Sequence, residues 1–331
     1  MQETPVKFPL APCAQALSAC VLVMAAGAAA AQSFPTRPVT LVVPFAPGGG
    51  ADVVARILTQ ETARRLGQPM IVDNRAGAGG SIAAAAVTKA DADGHTLLFV
   101  TAGHAGMKAL YSKLAFDPVG DFTPIIGLTT LPIVIAVNAQ SKYRTLQDLV
   151  DDARQHPGRL NCAGGGGGAT VTNLAFELMK SKLKLDIAAV PYKGSAPAIT
   201  ALLGGEIDCD SDAAAVVLPF LQSGKLRALA VMGAQRSPLL PEVPTVAETV
   251  LPEFSASVWY GVLAPRGTPQ PVVDKLHRAL SASLAVPEVT QRLGALTAER
   301  MDSGPAAFGR FIEAETRRWS DVIRQLGLQT E

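Results

Sequence analysis

Two runs of glycine mark the places in this chain where residue type and spacing are suited to binding chemistry. Glycines 48–50 follow the apolar segment 39–43, glycines 164–168 follow the segment 160–163, and a helical pattern begins after each run. A glycine turn leaves backbone N–H groups accessible because no side chain covers them. The start of a helix adds unpaired N–H donors and the positive end of the helix dipole. Each run is therefore a predicted anion-binding loop.

The acidic residues near these turns have two interpretations each. Asp52 lies at the start of the first predicted helix, where aspartate commonly caps free N–H groups. Because its charge repels an anionic ligand, we expect it to orient the loop, or else to hold a water molecule or a ligand amine. Asp210 and Asp212 alternate along a predicted strand and therefore share one face. They either receive a ligand amine or cap the end of the strand.

Further candidates stand at the predicted ends of strands in both halves of the chain. Thr101, Gly103 and His104 follow a strand of the first half, although His104 is equally suited to a structural role, and Tyr192 and Ser195 supply hydrogen-bond donors in the second half. The complete set of predicted ligand-binding residues is Phe45, Pro47, Gly48, Gly49, Gly50, Asp52, Thr101, Gly103, His104, Gly166, Gly167, Gly168, Ala169, Thr170, Asn173, Tyr192, Ser195 and Asp210.

Sequence signals for catalysis, cofactors or metals are weak. The first glycine run lacks the GxGxxG spacing of a dinucleotide site and the lysine–serine pair of a P-loop, and no GxSxG elbow occurs. Cys162 has no histidine in its own motif, and the four histidines show no metal-ligand spacing. We therefore predict a binding protein without metal or cofactor, and keep an exported α/β enzyme as a weaker alternative.

The elements that must position these loops follow an α/β pattern. From Val39 onward, short apolar runs alternate with helical periodicity, which predicts parallel sheets. Ligands of open α/β sheets bind beyond the carboxyl ends of the strands, which is where both glycine runs stand. We predict two lobes facing each other across a cleft, with residues 32–134 and 255–331 in the first lobe and residues 135–254 in the second.

Composition narrows the class of partner. The chain has 331 residues, a formal net charge of +1 and 48% hydrophobic residues. This near balance of charge argues against a nucleic-acid partner, which requires a basic surface.

The length of the chain suits two domains of ordinary size.

The N-terminal segment predicts export. After Lys7 no charged residue appears before Arg37, residues 17–31 are apolar or small, and the segment ends in AAGAAAAQ. This is the pattern of a secretory signal peptide over residues 1–31 and a periplasmic location. Two alternatives are a lipid anchor on Cys20, within the lipobox-like LSAC, and an uncleaved membrane anchor.

Two cysteines, Cys162 and Cys209, stay in the chain after removal of residues 1–31. In an oxidising compartment they can form a disulfide. Two separate buried thiols are an equally good expectation, because free cysteine is among the most often buried residue types.

Eight motifs in order along the chain resemble the Bug family, the extracytoplasmic solute receptors of tripartite tricarboxylate transporters. They are PFAPGGGAD, NRAGAGG, ADGHTLLFV, DFTPIIGL, VPYKGSAPAITALLGGEID, GKLRALAV, PEVPTVAET and VWYGVLAPRGTP. The resemblance implies a two-lobed, type II-like periplasmic-binding-protein fold that closes on a small carboxylate about a hinge. It also implies integral membrane subunits of a transporter as partners, or, alternatively, a sensor kinase.

The resemblance implies a ligand site built from the two glycine loops. Gly49, Gly50 and Asp52 match the family's first loop. The second loop departs from the family's Gly-Ser-x-x-His pattern, because Ala169 replaces a glycine and Asn173 replaces the histidine, although Thr170 keeps a hydroxyl. The implied role as an anion-binding loop carries over, whereas the identity of the carboxylate does not.

Overall fold

Strands and helices alternate along the chain in the computed structural model, which describes residues 34–48, 50–165, 170–192 and 194–328. The strands are β1 Val39–Val43, β2 Met70–Asn74, β3 Thr96–Thr101, β4 Phe122–Asn138, β5 Asn161–Ala163, β6 Ala188–Ala189, β7 Cys209–Ala213, β8 Leu226–Val231, β9 Ser257–Pro265 and β10 Glu299–Ser303. The predicted signal peptide, 1–31, lies outside the described residues.

The helices lie between these strands and at the C-terminal end. They are α1 Gly50–Leu66, α2 Ser81–Val87, α3 Gly103–Leu110, α4 Leu146–Gln155, α5 Val171–Leu183, α6 Ser195–Gly204, α7 Ala214–Gln222, α8 Val246–Thr249, α9 Gln270–Leu284, α10 Pro287–Gly294 and α11 Pro305–Leu326. The expected apolar faces are buried, with Val54, Ile57 and Leu58 on α1 and Leu174, Leu178 and Met179 on α5.

The sheet of the first lobe is mixed. Strand β1 pairs in parallel with β2 and β3, as the alternating pattern predicts, but β9 runs antiparallel between β3 and β4. The expectation of a purely parallel sheet is therefore wrong. The C-terminal part of the chain returns to the first lobe as β9, and a strand that returns in this way does not have to follow the direction of a strand–helix–strand unit.

Strand β4 belongs to both lobes. Its first part pairs with β9 as far as Pro132, opposite Ser257. From Ile133 onward its neighbours are β7 and β8. The sequence pattern predicts a strand from Pro132 to Val137, which corresponds only to the part of β4 that pairs in the second lobe. The strand begins ten residues earlier, at Phe122.

A second crossing runs beside β4. The Met232 N–H donates to the Ile133 carbonyl over 2.7 Å, and the Ala256 N–H donates to the Met232 carbonyl over 2.6 Å, immediately before β9. The two connections between the lobes are thus hydrogen-bonded together. The lobe boundaries at 134/135 and 254/255 remain a proposal, which this change of strand partners supports.

Helix α11 closes the core of the first lobe. The Phe308 ring lies against Gly261 of β9, where a Cβ atom would stand 2.1 Å from its Cζ, so only glycine allows this approach. Beside it, Trp259 and Trp319 are buried, and both indole N–H groups donate to Glu315, over 3.2 and 2.9 Å. Two buried tryptophans thereby satisfy their only donors with one carboxylate.

A disulfide joins Cys162 of β5 to Cys209 of β7. The two residues are direct partners on neighbouring parallel strands, with their Cα atoms 4.7 Å apart. Of the two expectations from the sequence, two separate thiols is therefore wrong. The bond fixes the spacing of two strands whose carboxyl ends lead to the second glycine run and to Asp210.

We expect the loss of this disulfide to lower the free energy of unfolding by about 2–4 kcal/mol, because the bond constrains the unfolded chain across a separation of 47 residues. Urea denaturation of the double variant Cys162→Ala/Cys209→Ala against the oxidised wild type measures this. The wild type with reductant is the control and should match the variant. An unchanged midpoint in reductant would contradict the bond.

Candidate functional site

Two carboxyl groups are buried at the carboxyl end of β7. Asp210 and Asp212 have 0% and 3% of their surface exposed. The Gly165 N–H donates to Asp210 Oδ1 over 3.0 Å, and the Ala213 N–H donates to Asp212 Oδ1 over 2.7 Å. Ser195, the first residue of α6, lies close to Asp212 and acts to lower its pKa. The second oxygen of each carboxyl group, Oδ2, has no hydrogen-bond partner among the described residues.

Burial changes the protonation of this pair. It raises the pKa of Asp210, which the nearby charge of Asp212 raises further, to about 7. Burial also raises the pKa of Asp212, to about 6, against the effects of the nearby Ser195 and of the bond from the Ala213 N–H. Both carboxyl groups therefore keep their protons to a higher pH than exposed aspartates do, because an unpaired charge is costly in these surroundings.

The second glycine loop and the start of α5 lie against these acids. Thr170 is the N-cap of α5 and accepts from the Asn173 N–H, while the Thr172 hydroxyl donates to the Gly164 carbonyl over 3.0 Å. Gly165 has φ of +61°, and a Cβ there would stand 2.8 Å from Thr172 Oγ1 and 2.9 Å from Asp212 Oδ1. The position thus requires glycine for both its conformation and its space.

The first glycine loop is held by Asp52. The carboxylate is buried and accepts from the Gly48 N–H over 2.9 Å, from Asn74 Nδ2 over 2.9 Å and from Arg56 Nε. Burial acts to raise the pKa of Asp52, but the bonds from Arg56, Gly48 and Asn74 outweigh it and lower the pKa. Its acceptors are thereby occupied, which agrees with the expectation that Asp52 orients the loop.

Tyr260 connects the two halves of the site. This β9 residue is 6% exposed, and its hydroxyl oxygen lies 3.6 Å from the position of a Cβ built on Gly50, at the start of α1. Burial, and then the charge of Asp212, raise the pKa of Tyr260. Thr101 is its neighbour on β3. Tyr260 therefore lies beside the start of α1 and close enough to Asp212 to feel its charge, and Asp212 in turn lies beside Gly165.

His104 has the contacts of a structural residue. It is 2% exposed, hydrogen-bonds the Pro118 carbonyl over 2.7 Å and contacts the rings of Phe116 and Phe122. Burial lowers its pKa to about 4, so the ring is neutral at physiological pH. A ligand role for His104 remains a prediction, and none of these contacts supports it.

The other candidates are placed as follows. Pro47 and Gly48 are exposed, whereas Phe45 and Gly103 are half-buried. Tyr192 is also half-buried and packs against the core of the second lobe. Gly49, Gly166, Gly167, Gly168 and Ala169 lie outside the described residues. The role of every residue in the set as a ligand contact stays a prediction.

Sequence reasoning did not include Tyr260, Thr172, Gly165 or Asp212 in the predicted set. Tyr260 had no local signal, because it lies inside an apolar strand far along the chain from either glycine run. Asp212 had a signal, its alternation with Asp210, but a strand-end cap explained it equally well. Gly165 lies within the second glycine run and Thr172 lies just after it. The argument that this run forms a binding loop could therefore have included both residues.

Neither a metal-binding cluster nor a membrane-spanning helix is found among the residues that the structure describes. Across residues 34–328, apart from the gaps, no three His, Cys, Asp or Glu side chains are grouped to hold a metal ion. Within the same ranges, no helix has the length and apolar character needed to cross a bilayer.

A family model described as "Tripartite tricarboxylate transporter family receptor" matches residues 54–328. The chain belongs to this family. The chain is also 36% identical over 312 residues to protein BugT of Bordetella pertussis, and this alignment covers 93% of this chain and 95% of BugT. The resemblance to the Bug receptors is therefore confirmed. Members of the family are solute receptors, so this chain is a receptor and not an enzyme.

Solved structures show the same fold. The periplasmic binding protein BugD superimposes with a TM-score of 0.80 at 32% identity, covering 90% of this chain and 100% of that one. MatC of Rhodopseudomonas palustris, with bound malate, gives a TM-score of 0.79 at 39% identity, covering 88% of this chain and 100% of that one. The predicted α/β, two-lobed periplasmic-binding-protein fold is confirmed.

We expect Asp210→Asn to stabilise the ligand-free receptor, and to do so more strongly at about pH 8 than at about pH 5. Between its unfolded pKa of 3.8 and its folded pKa of about 7, Asp210 binds more proton in the folded state, so the free energy of unfolding falls as pH rises through this window. Asparagine still accepts from Gly165 but carries no charge. Melting temperatures at the two pH values measure the difference.

The control for this experiment is Asp321→Asn, which removes a carboxylate whose side chain is 61% exposed. It should shift the melting temperature equally little at both pH values. If Asp210→Asn shifts it by the same amount at both, Asp210 does not change protonation in this range.

Proposed function

We propose that the protein is a periplasmic receptor that captures a small carboxylate between its lobes and presents it to the integral membrane subunits of a tripartite tricarboxylate-type transporter. The observation that carries this proposal is the convergence of three helix starts, those of α1, α5 and α6, around Tyr260 and the carboxyl end of β7. Each helix start offers backbone N–H donors and a positive dipole end.

The chemistry of this arrangement suits an anion bound without a salt bridge. A hydrogen bond to a charged group contributes about 1.5–3 kcal/mol. Micromolar affinity corresponds to about −8 kcal/mol, so a few such bonds suffice after the cost of ordering the loops. An affinity of this size also permits release to a membrane partner.

The relatives support the class of ligand. The MatC structure holds malate, a small hydroxy-dicarboxylate, in a chain that matches 88% of this one. The periplasmic location rests on the relatives, of which BugD is a periplasmic binding protein, and on the signal-peptide pattern of residues 1–31. The disulfide agrees with it, because such bonds persist in oxidising compartments.

Movement of the lobes follows from the two crossings. Strand β4 and the segment before β9 are hydrogen-bonded to each other through Met232, so they act as a paired hinge. A ligand that bonds helix starts in both lobes favours the closed state, whereas contact with membrane subunits would favour the open state.

Isothermal titration calorimetry tests the proposal with mono-, di- and tricarboxylates and acidic amino acids, and with the methyl esters of the same acids as uncharged controls. We expect saturable binding of at least one free acid and no binding of its ester. Equal binding of an acid and its ester, or no binding of any acid in the panel, would overturn the proposal.

We expect Gly50→Val to weaken binding of the best acid by at least about tenfold and to leave the melting temperature of the ligand-free protein nearly unchanged. The valine side chain would enter the space between the start of α1 and the Tyr260 hydroxyl, which lies 3.6 Å from the new Cβ atom. The matched control is Gly294→Val on α10, where a Cβ meets nothing within 4 Å. An unchanged dissociation constant for Gly50→Val would remove α1 from the site.

A further inference from the structure

One motif of the sequence takes no part in the proposed ligand contacts, the stretch NRAGAGG at residues 74–80. It begins at the last residue of β2 and leads into α2. Strands β1 and β2 are parallel neighbours, and Val43 lies opposite Asn74 in their register. The carboxyl ends of parallel strands meet at the same edge of a sheet. The 74–80 segment therefore leaves the sheet beside the first glycine loop, which follows β1.

The Asn74 side chain holds the first glycine loop at two points. Its Nδ2 donates to the Phe45 carbonyl over 3.0 Å and to Asp52 Oδ1 over 2.9 Å. Asp52 in turn accepts from the Gly48 N–H over 2.9 Å. One amide group thus fixes the beginning of the loop directly and the glycine turn through Asp52.

Asn74 has no donor left for a ligand. A side-chain amide carries two N–H hydrogens and one carbonyl oxygen. Both hydrogens are used in the bonds to Phe45 and Asp52, and Oδ1 accepts from Arg56 Nη2 over 3.0 Å. Because a carboxylate binds through donors, Asn74 acts on the loop and not on a bound acid.

Arg56 ties the two supporting side chains together. Its Nε donates to both oxygens of Asp52, over 3.0 and 2.9 Å, and its Nη2 reaches Asn74. The arginine side chain is 52% exposed. Solvent screens an ion pair at such a position, so Arg56 contributes less to the arrangement than the amide of Asn74 does.

Two further contacts bring the backbone of the segment against the loop. The Arg75 N–H donates to the Val43 carbonyl over 2.8 Å, immediately before Pro44. At the other end of the segment, Gly80 has φ of +97°, and a Cβ built there would stand 3.1 Å from Pro44 Cβ and 3.2 Å from Met107 Cε. Glycine suits both this conformation and this close approach. The loop is thus held by hydrogen bonds and by packing.

We propose that Asn74 is a positioning residue of this receptor, and that the 74–80 segment holds the first glycine loop in the conformation that binds the ligand. This inference rests on the proposed receptor function. A glycine-rich loop has many conformations when nothing fixes it. A loop that Asn74 and Asp52 already fix loses less conformational freedom on binding, so the same contacts give a higher affinity.

Hydrogen exchange of the ligand-free protein tests whether Asn74 holds the loop. Exchange of a bonded amide requires that its hydrogen bond opens. We expect Asn74→Ala to speed exchange over residues 45–52 by about fivefold or more, because the loop and the Asp52 carboxylate lose their common partner. Unchanged exchange over these residues in the folded variant would overturn the inference.

The matched control is Asn138→Ala, in the second lobe. The Asn138 amide also makes three bonds, because its Nδ2 donates to the Leu202 and Leu203 carbonyls and its Oδ1 accepts from the Gln140 N–H. This variant should lower the melting temperature but leave exchange over residues 45–52 unchanged. It thereby separates a local effect on the loop from a general loss of stability.

Calorimetry with malate, succinate and glutamate tests the consequence for binding. Asn74→Ala should weaken every one of these acids that binds the wild type by about fivefold or more, and by the same factor within about twofold. The loss is uniform because no contact to a particular group of the ligand is removed. Asn138→Ala should leave the dissociation constants unchanged.

Arg56→Met keeps the test decisive if Asn74→Ala does not fold. It removes the bonds to Asp52 and Asn74 from a half-exposed position. We expect faster exchange over residues 45–52 and a weakening of about twofold to fivefold for the same acids. Exchange and affinity equal to those of the wild type would overturn the inference.

The outcomes separate this inference from the receptor function on which it rests. Wild-type affinity in Asn74→Ala, or a loss confined to one of several acids that bind, removes the positioning role and leaves the receptor function intact. Absence of wild-type binding for these three acids and for the earlier panel removes both.

Discussion

Burial of two carboxyl groups at one strand end is the constraint on which the site depends. Asp210 and Asp212 each keep one oxygen on a backbone N–H and leave the other without a partner among the described residues. Burial of a carboxyl group without a full set of hydrogen bonds lowers the stability of the folded state. The strands around β7 nevertheless keep both side chains buried. Strand β7 lies between β4 and β5, so the two acids cannot move toward solvent without loss of sheet hydrogen bonds.

Two features of the scaffold hold this strand end in place. The disulfide fixes β5 to β7 one residue before Asp210, and it thereby sets the position of the loop that begins with Gly164. On the other side, β4 runs unbroken through both lobes and pairs with β7 by its second part and β9 by its first part. The residues on β7 and Tyr260 on β9 are thus held by one shared strand.

Much of the fold could be predicted from the sequence, because its signals are local. The apolar runs and the helical periodicity locate most elements, including the buried faces of α1 and α5. The same local reasoning found only part of β4, since Pro132 and the change of partners within it interrupt the strand pattern. It also predicted a parallel sheet, because the direction of β9 depends on how the C-terminal part of the chain returns. The roles predicted for the glycine runs and for Asp52 rest on conformational freedom and capping, which are properties of neighbouring residues.

The sequence by itself predicted the receptor family, the two-lobed α/β fold and the placement of Asp210 and Asp212 on one strand face. Only the tertiary structure decided which of the two expectations for the cysteines holds, and it brought Tyr260 between loops that lie far from it along the chain. It also gave His104 the contacts of a packing residue and buried Asp212 beside the second glycine loop. The physical reason is that burial and hydrogen-bond partners are set by residues distant in sequence. Whether a polar side chain is satisfied or free is therefore decided when the elements pack.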